Sequence, residues 1–271
     1  MVVLTSGLSG SVAYSLISRT REKQLEITAK EPMAAREIET FREKASSITS
    51  IDDLMGNYEV YSFVMKAYDL EDQTYAKAMM RKILESDIED TKSLVNKLTD
   101  SRFKTLYNGL DFASGTEDTF QSSSWVEDMV AKYTEQVFIN NTSDDSETLG
   151  AALEFQQKAS TLTSWYKVLA DETMGDFMRT ALGLPDSLAT ADVDQQAKLF
   201  AKKMDIEDLQ DPDVQEKLIR TYLAISDAQT AADNMSSNPI IQLMTSATSG
   251  SFVPVTIDIE AVATFTASRY R

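Results

Sequence analysis

Phe41-Arg42-Glu43-Lys44-Ala45-Ser46, running on to Thr49-Ser50, is answered 114 residues later by Phe155-Gln156-Gln157-Lys158-Ala159-Ser160 and Thr163-Ser164. Outward from these segments the register holds. Leu54 and Met55 match Val168 and Leu169, Phe63 and Val64 match Phe177 and Met178, and Ala67, Leu70 and Asp72 match Ala181, Leu184 and Asp186. At Leu98-Thr99-Asp100 and Leu209-Gln210-Asp211 the offset has become 111, so an indel of net three residues lies between. Caps, small residues and apolar stripe agree together, and we read this as an internal duplication of a helical unit.

The first copy shows why the unit is helical. After the start signal Glu31-Pro32, where the missing proline N–H costs nothing in a first turn, Ala34, Ile38, Phe41, Ala45 and Ile48 step by four, three, four and three. That spacing makes one apolar face of a helix reaching about Ser47. Ser50-Ile51-Asp52-Asp53 reads as an N-cap followed by acids that complement the helix dipole, opening a helix expected through Leu54, Met55, Tyr58, Tyr61 and Met65. Asp69-Leu70-Glu71-Asp72 marks a further stop and start before Tyr75, Met79, Ile83 and Leu84. A short helix is expected from Asp90-Thr91 to Leu98, and Phe103, Leu106, Tyr107 and Leu110 form a last stripe.

Outside the repeat the text changes. Residues 1–30 hold Gly7, Gly10 and weak helix formers around Val2, Leu4, Leu8, Val12, Leu16 and Ile17, which resemble one apolar face at helical spacing, and read as an extended arm that orders when it packs on something. Residues 111–124 are rich in Ser, Gly and Thr, a helix is expected from Trp125 to Phe138, and Asn140-Asn141-Thr142-Ser143-Asp144-Asp145 reads as its break. Residues 226–251 are rich in Ala, Ser and Thr, and Phe252 to Ile259 alternates with period two, as a short strand or extended arm would. The expected fold is mainly α, with an N-terminal arm over 1–33, one unit over 34–112, a linker plus connecting helix over 113–149, the second unit over 150–225 and a C-terminal arm over 226–271.

Composition chiefly removes functions. The 271 residues include no Cys and no His, which excludes disulfides, thiolate nucleophiles, Cys or His metal sites and imidazole acid-base chemistry. The net charge of −17 disfavours nucleic acid and anionic lipid. No run reaches the roughly 18 apolar residues a bilayer span needs. With no basic residue before Arg19 there is no signal-peptide pattern, so the chain is expected to be made in the cytoplasm and to leave, if it does, by a route that reads no cleaved signal.

Motifs that carry chemistry fail on inspection. Asp205 to Glu216 mimics a calcium loop but has Gln210 where the turn needs Gly and Leu209 where an oxygen ligand belongs, so Asp211-Pro212-Asp213 reads as a helix start. Gly7-Leu8-Ser9-Gly10 is one residue short of a nucleophile elbow, with no His to act as base. Trp125 and Trp165 lie on helical stripes and read as core. No catalytic, cofactor-binding or metal residue is assigned and no cofactor is expected. The expected contact residues are Leu4, Leu8, Val12 and Leu16 in the first arm and Val253, Val255 and Ile257 in the last.

Met65-Lys66-Ala67-Tyr68-Asp69-Leu70-Glu71-Asp72, Tyr75 to Leu84, Leu98 to Phe103, Phe155 to Ala159, Leu169-Ala170-Asp171, Thr180 to Pro185 and Leu209 to Pro212 resemble an uncharacterised alphaproteobacterial family of unknown function. Its members are often encoded among flagellar genes, so the resemblance implies a part in building or operating the flagellum and brings no enzymatic activity with it. Tyr68-Asp69 departs from the family, which commonly has an aromatic followed by Gly. Chains exported through the flagellar channel lack cleaved signals, usually lack cysteine and often have loosely ordered ends, all of which fit. An axial filament protein would pair two heptad-bearing terminal helices, which the period-two C-terminal segment does not supply.

The expectation is therefore a non-enzymatic structural or assembly protein associated with the flagellum, binding other proteins and open to self-association. A cytoplasmic chaperone or regulator of flagellar assembly is the first alternative, and a metal-dependent hydrolase built on carboxylates the second.

Overall fold

The computed structural model describes residues 7–112 and 119–237, with side chains to residue 232. Among the described residues every regular element is a helix. Two compact units emerge, Met1–Asp227 and Ala228–Arg271; of the second, residues 228–237 are described, as the end of a helix. All that follows concerns the first.

The helices are α1 (Gly10–Ala29), α2 (Pro32–Lys44), α3 (Ile51–Gly56), α4 (Tyr58–Ala67), α5 (Lys77–Leu84), α6 (Leu94–Lys97) and α7 (Ser101–Leu110), then α8 (Ser123–Asp145), α9 (Glu147–Lys158), α10 (Trp165–Ala170), α11 (Glu172–Ala181), α12 (Val193–Lys203) and α13 (Pro212–Ser237). Short polar side chains start most of them. Ser50 accepts from the N–H of Asp53, Asn57 from Val60, Asp100 from Arg102, Ser146 from Leu149, Ser164 from Lys167 and Asp171 from Met174. Each satisfies a first-turn donor that the helix itself leaves open.

These elements recur at the spacing seen in the sequence. The 3-10 turn Ala45–Ser47 and helices α3 and α4 stand 114 residues before Ala159–Thr161, α10 and α11. Phe41 stacks on Phe63 at 4.1 Å as Phe155 stacks on Phe177 at 4.1 Å. Asp69 and Gly183, which follow α4 and α11, both take left-handed backbone conformations, with φ of 57° and 63°. The recurrence extends to α1 and α8, which open the two series.

Four expectations need correction. Residues 10–29 are no extended arm: α1 is a helix that buries Ala13, Tyr14 and Ile17 in the core shared with α9, α11 and α13. The connecting helix expected from Trp125 to Phe138 is present but is more than a connector, because α8 gives Met129, Val130, Tyr133 and Val137 to a first core and Phe138 and Ile139 to a second. Nor does α8 break at Asn140; it continues to Asp145, with Asn140 accepting from Gln136 and buried Thr142 donating to the Phe138 carbonyl. The helix expected through Leu54 to Met65 is two helices, parted at Asn57, which ends α3 and caps α4. The period-two segment around Val253 lies outside the described residues.

Between α8 and α9 the chain turns on Ser146 alone. A Cβ on Gly150 would lie 2.6 Å from Ser143 Cα, so only glycine lets the two helices cross this closely.

A carboxylate from 217 residues away anchors α1. Asp227 accepts from Gly10 N at 2.6 Å, Ser11 N at 3.1 Å and Ser11 Oγ at 2.8 Å, and Tyr14 Oη donates to Glu216 at 3.1 Å. Partial burial opposes ionisation of Asp227, but these donors outweigh it and hold the carboxyl below its ordinary value. Asp227→Ala is expected to weaken the cap by about 1 kcal/mol and to speed hydrogen exchange in the first turn of α1 while leaving α4 unchanged. Exchange in α1 as slow as in the parent would show that the cap is dispensable.

Beyond Ile17 the inner face of α1 is polar. Gln24 and Thr28 are buried, Arg21 pairs with Glu135 of α8, and Thr28 Oγ1 and Arg21 Nη1 have no hydrogen-bond partner. Thr28→Val removes a buried unsatisfied hydroxyl without changing shape, so it is expected to stabilise the fold by about 1 kcal/mol, read as a raised Tm. A lowered Tm would mean that the hydroxyl is satisfied in solution.

Candidate functional site

A polar cleft of about 510 Å³ lies where the first series meets the second. The left-handed residue after α4 places the Asp69 carboxylate on its wall. The start of α7 supplies Asp100 and Arg102, α8 supplies Lys132 and Gln136, α9 supplies Glu154 and Lys158, and the cap of α11 supplies Asp171. A non-glycine residue in this backbone region is strained. What holds Asp69 there is its load of partners.

Lys158 Nζ lies 3.0 Å from Asp69 Oδ2 and 2.9 Å from Asp171 Oδ2, and also pairs with Glu154 one turn earlier. Arg102 reaches Asp69 Oδ2 at 3.3 Å and Asp100 Oδ2 at 2.8 Å. Gln136 Nε2 donates to Asp69 Oδ1 at 3.1 Å, and Gln157 Nε2 to Gln136 Oε1 at 3.3 Å. Asp69 therefore ties α7, α8 and α9 together.

The protonation states follow from the geometry. Burial would lower the Lys158 pKa, but Glu154, Asp69 and Asp171 outweigh it and push the ammonium above its ordinary value. Burial also raises Glu154, against the pull of Lys158. Burial opposes the charge on Arg102, and Asp100 and Asp69 overcome it; the same pairing holds Asp100 below its ordinary value. Three carboxylates about one ammonium favour its charged form. The acids that converge here are aimed at an ammonium and a guanidinium. Among the described residues no cluster of three or more acids has metal-binding geometry. The arrangement acts as a clamp.

The contact residues expected from sequence divide in two. Leu8, Val12 and Leu16 are exposed by 44%, 55% and 38%; Val12 and Leu16 lie one turn apart on one side of α1, and Leu8 stands just before its cap residue Ser9. Leu4, Val253, Val255 and Ile257 lie outside the described residues. Trp165 is buried as expected, and Trp125 is half-buried, donating from Nε1 to the Gly109 carbonyl at 2.9 Å. Asp211 caps the amide of Asp213 at 2.9 Å, so that part of the calcium-loop mimic is a helix start. Sequence reading missed the cleft altogether. Its one local signal is Tyr68-Asp69 where glycine would suit the backbone better.

Residues 67–215 match the family described as "Protein of unknown function (DUF1217)". A crystal structure of a structural-genomics protein from Agrobacterium tumefaciens is 37% identical, covering 80% of this chain and 93% of that one with a TM-score of 0.73, so the helical fold is shared. No curated protein matches. No helix among the described residues is long and apolar enough to cross a membrane.

Proposed function

The chain belongs to the DUF1217 family of unknown function, and from that premise we propose that it is a non-enzymatic structural or assembly protein of the bacterial flagellum, working through contacts with other proteins. The single observation that carries the contact reading is the exposure of Val12 and Leu16, with Leu8 just before them, on a helix that Asp227 and Glu216 hold in place. An anchored helix with its apolar residues turned outward is built to be covered. The cleft supports the same reading, because Asp69, Asp100, Arg102, Lys158 and Asp171 are spent on pairing the elements that carry them. The flagellar setting follows from the gene neighbourhood implied by the family resemblance. The recurring series we read as a duplicated unit, held as a pair by the Asp69 to Lys158 clamp.

Deletion of the gene, followed by motility assay and imaging of basal bodies, tests the proposal. Loss of motility with incomplete basal bodies or filaments is expected; normal motility and normal basal bodies would overturn it. Fractionation separates the variants of the idea. Chain recovered in basal bodies or culture fluid fits a structural part, whereas wholly cytoplasmic chain in export-competent cells fits a chaperone or regulator.

A further inference from the structure

Helices α1 and α8 stand in corresponding places 114 residues apart, and they use the same positions in opposite ways. On α8, Val126, Val130, Tyr133 and Val137 step by four, three and four along the seam that meets α4. Val130, Tyr133 and Val137 are buried, and Tyr133 stacks on Phe63 at 4.1 Å. The positions 114 residues earlier are Val12, Leu16, Arg19 and Lys23, and all four are exposed. α1 thus presents an open seam of the same spacing, apolar at Val12 and Leu16 and basic at Arg19 and Lys23, with exposed Leu8 in the segment that leads into the helix.

The inner face of α1 is already occupied by the body, through Ala13, Tyr14 and Ile17. Packing within the described residues therefore leaves the outer seam uncovered. Its charge suggests what would cover it. The chain carries −17 overall, yet residues 1–30 hold four cations and two acids. Arg21 is paired with Glu135, and Lys23 with exposed Glu26. Arg19 makes no ion pair among the described residues.

We propose that the seam Leu8, Val12, Leu16, Arg19 and Lys23 docks an amphipathic helix of another protein, apolar over two turns and acidic where it passes Arg19 and Lys23. This deepens the reading of the chain as a protein that acts by contact, and rests on it. A second copy fits poorly. No acid precedes Glu22, so an antiparallel pair centred on Val12 offers Arg19 no partner, and a parallel pair sets the cations against one another. Two chains of −17 also repel.

The test is fluorescence anisotropy of the full-length chain with a labelled helical peptide of about five turns, leucine at every fourth position in one half and glutamate on the same face in the other. A second peptide has lysine in place of glutamate. The glutamate peptide is expected to bind about fivefold tighter at low salt, from one ion pair gained at Arg19, one exchanged at Lys23 for its exposed pair with Glu26, and two repulsions avoided. Leu16→Asp should abolish binding, and the double variant Arg19→Glu, Lys23→Glu should reverse the preference. Both variants should melt like the parent, since these side chains lie outside the cores. Equal binding of the two peptides, or binding retained by Leu16→Asp, overturns the proposal. So does a concentration-dependent dimer in sedimentation that Leu16→Asp abolishes, which would assign the seam to a second copy. Failure here combined with loss of motility on deletion removes the docking seam and leaves the flagellar role. Peptide binding with normal motility removes the flagellar role and leaves the seam.

Discussion

Phe177→Asp is expected to unfold the second core and spare the first. Phe177 is fully buried, stacked on Phe155 at 4.1 Å and against Tyr222 at 4.4 Å. A carboxylate there has no cation within the same core to meet, so the loss should be about 4 kcal/mol or more. Hydrogen exchange should show α9, α11 and α13 unprotected, together with α1, because Ala13, Tyr14 and Ile17 belong to that core. Helices α2 and α4 should stay protected, since Phe41, Phe63 and Tyr133 form a separate stack. Phe63→Asp should give the complementary pattern. A melting curve superimposable on the parent's would show that Phe177 does not sit in a core, and with it that the 114-residue register misplaces the second series.

The second large effect is expected from Lys158→Ala. Its ammonium is the common partner of Asp69, Glu154 and Asp171, and removing it leaves three carboxylates facing one another in a cleft where the lysine side chain is only 14% exposed. Breaking a buried pair by deleting one partner costs about 3 kcal/mol or more at neutral pH. The deficit should shrink on acidification. A carboxyl whose folded pKa is raised binds more protons folded than unfolded, so stability rises as pH falls through its folded value; burial already raises Glu154, and loss of Lys158 raises it further. Thermal melts of parent and variant from about pH 7 to about pH 5 read the effect. A deficit that does not change with pH would mean that the cleft gives up packing rather than charge.

Both predictions rest on positions that differ in how visible they were. Phe63 and Phe177 could be placed from sequence because helical cores repeat locally: Ala34, Ile38 and Phe41 lie within two turns, and the segment 114 residues later supplies a second reading of the same pattern. Caps such as Ser50, Ser164 and Asp211 were visible for the same reason, since the acceptor and its amide are two or three residues apart. The cleft was not, because Asp69 and Lys158 are separated by most of one series and nothing near either announces the other. A local reading also misjudged α8. Asn140 to Asp145 has the composition of a turn, and it stays helical because Asn140 accepts from Gln136, Asn141 donates to Glu31 and Thr142 is buried. The N-terminal helix was half visible: the spacing of Leu8, Val12 and Leu16 was right for a helix, but the residues that hold it to the body are Ala13, Tyr14 and Ile17.

The anchoring of α1 by Asp227 has a consequence for synthesis. Helix α1 is closed by a residue 217 positions later, and its core partners on α9, α11 and α13 also come late. At about 5–20 residues per second, α1 stays without its final docking site for roughly 10–40 s. Throughout that interval its inner and outer faces are both open to whatever meets the nascent chain, and completion of α13 ends it. The order of translation thus separates two states of α1 in time, one free of its cap and core and one anchored by both.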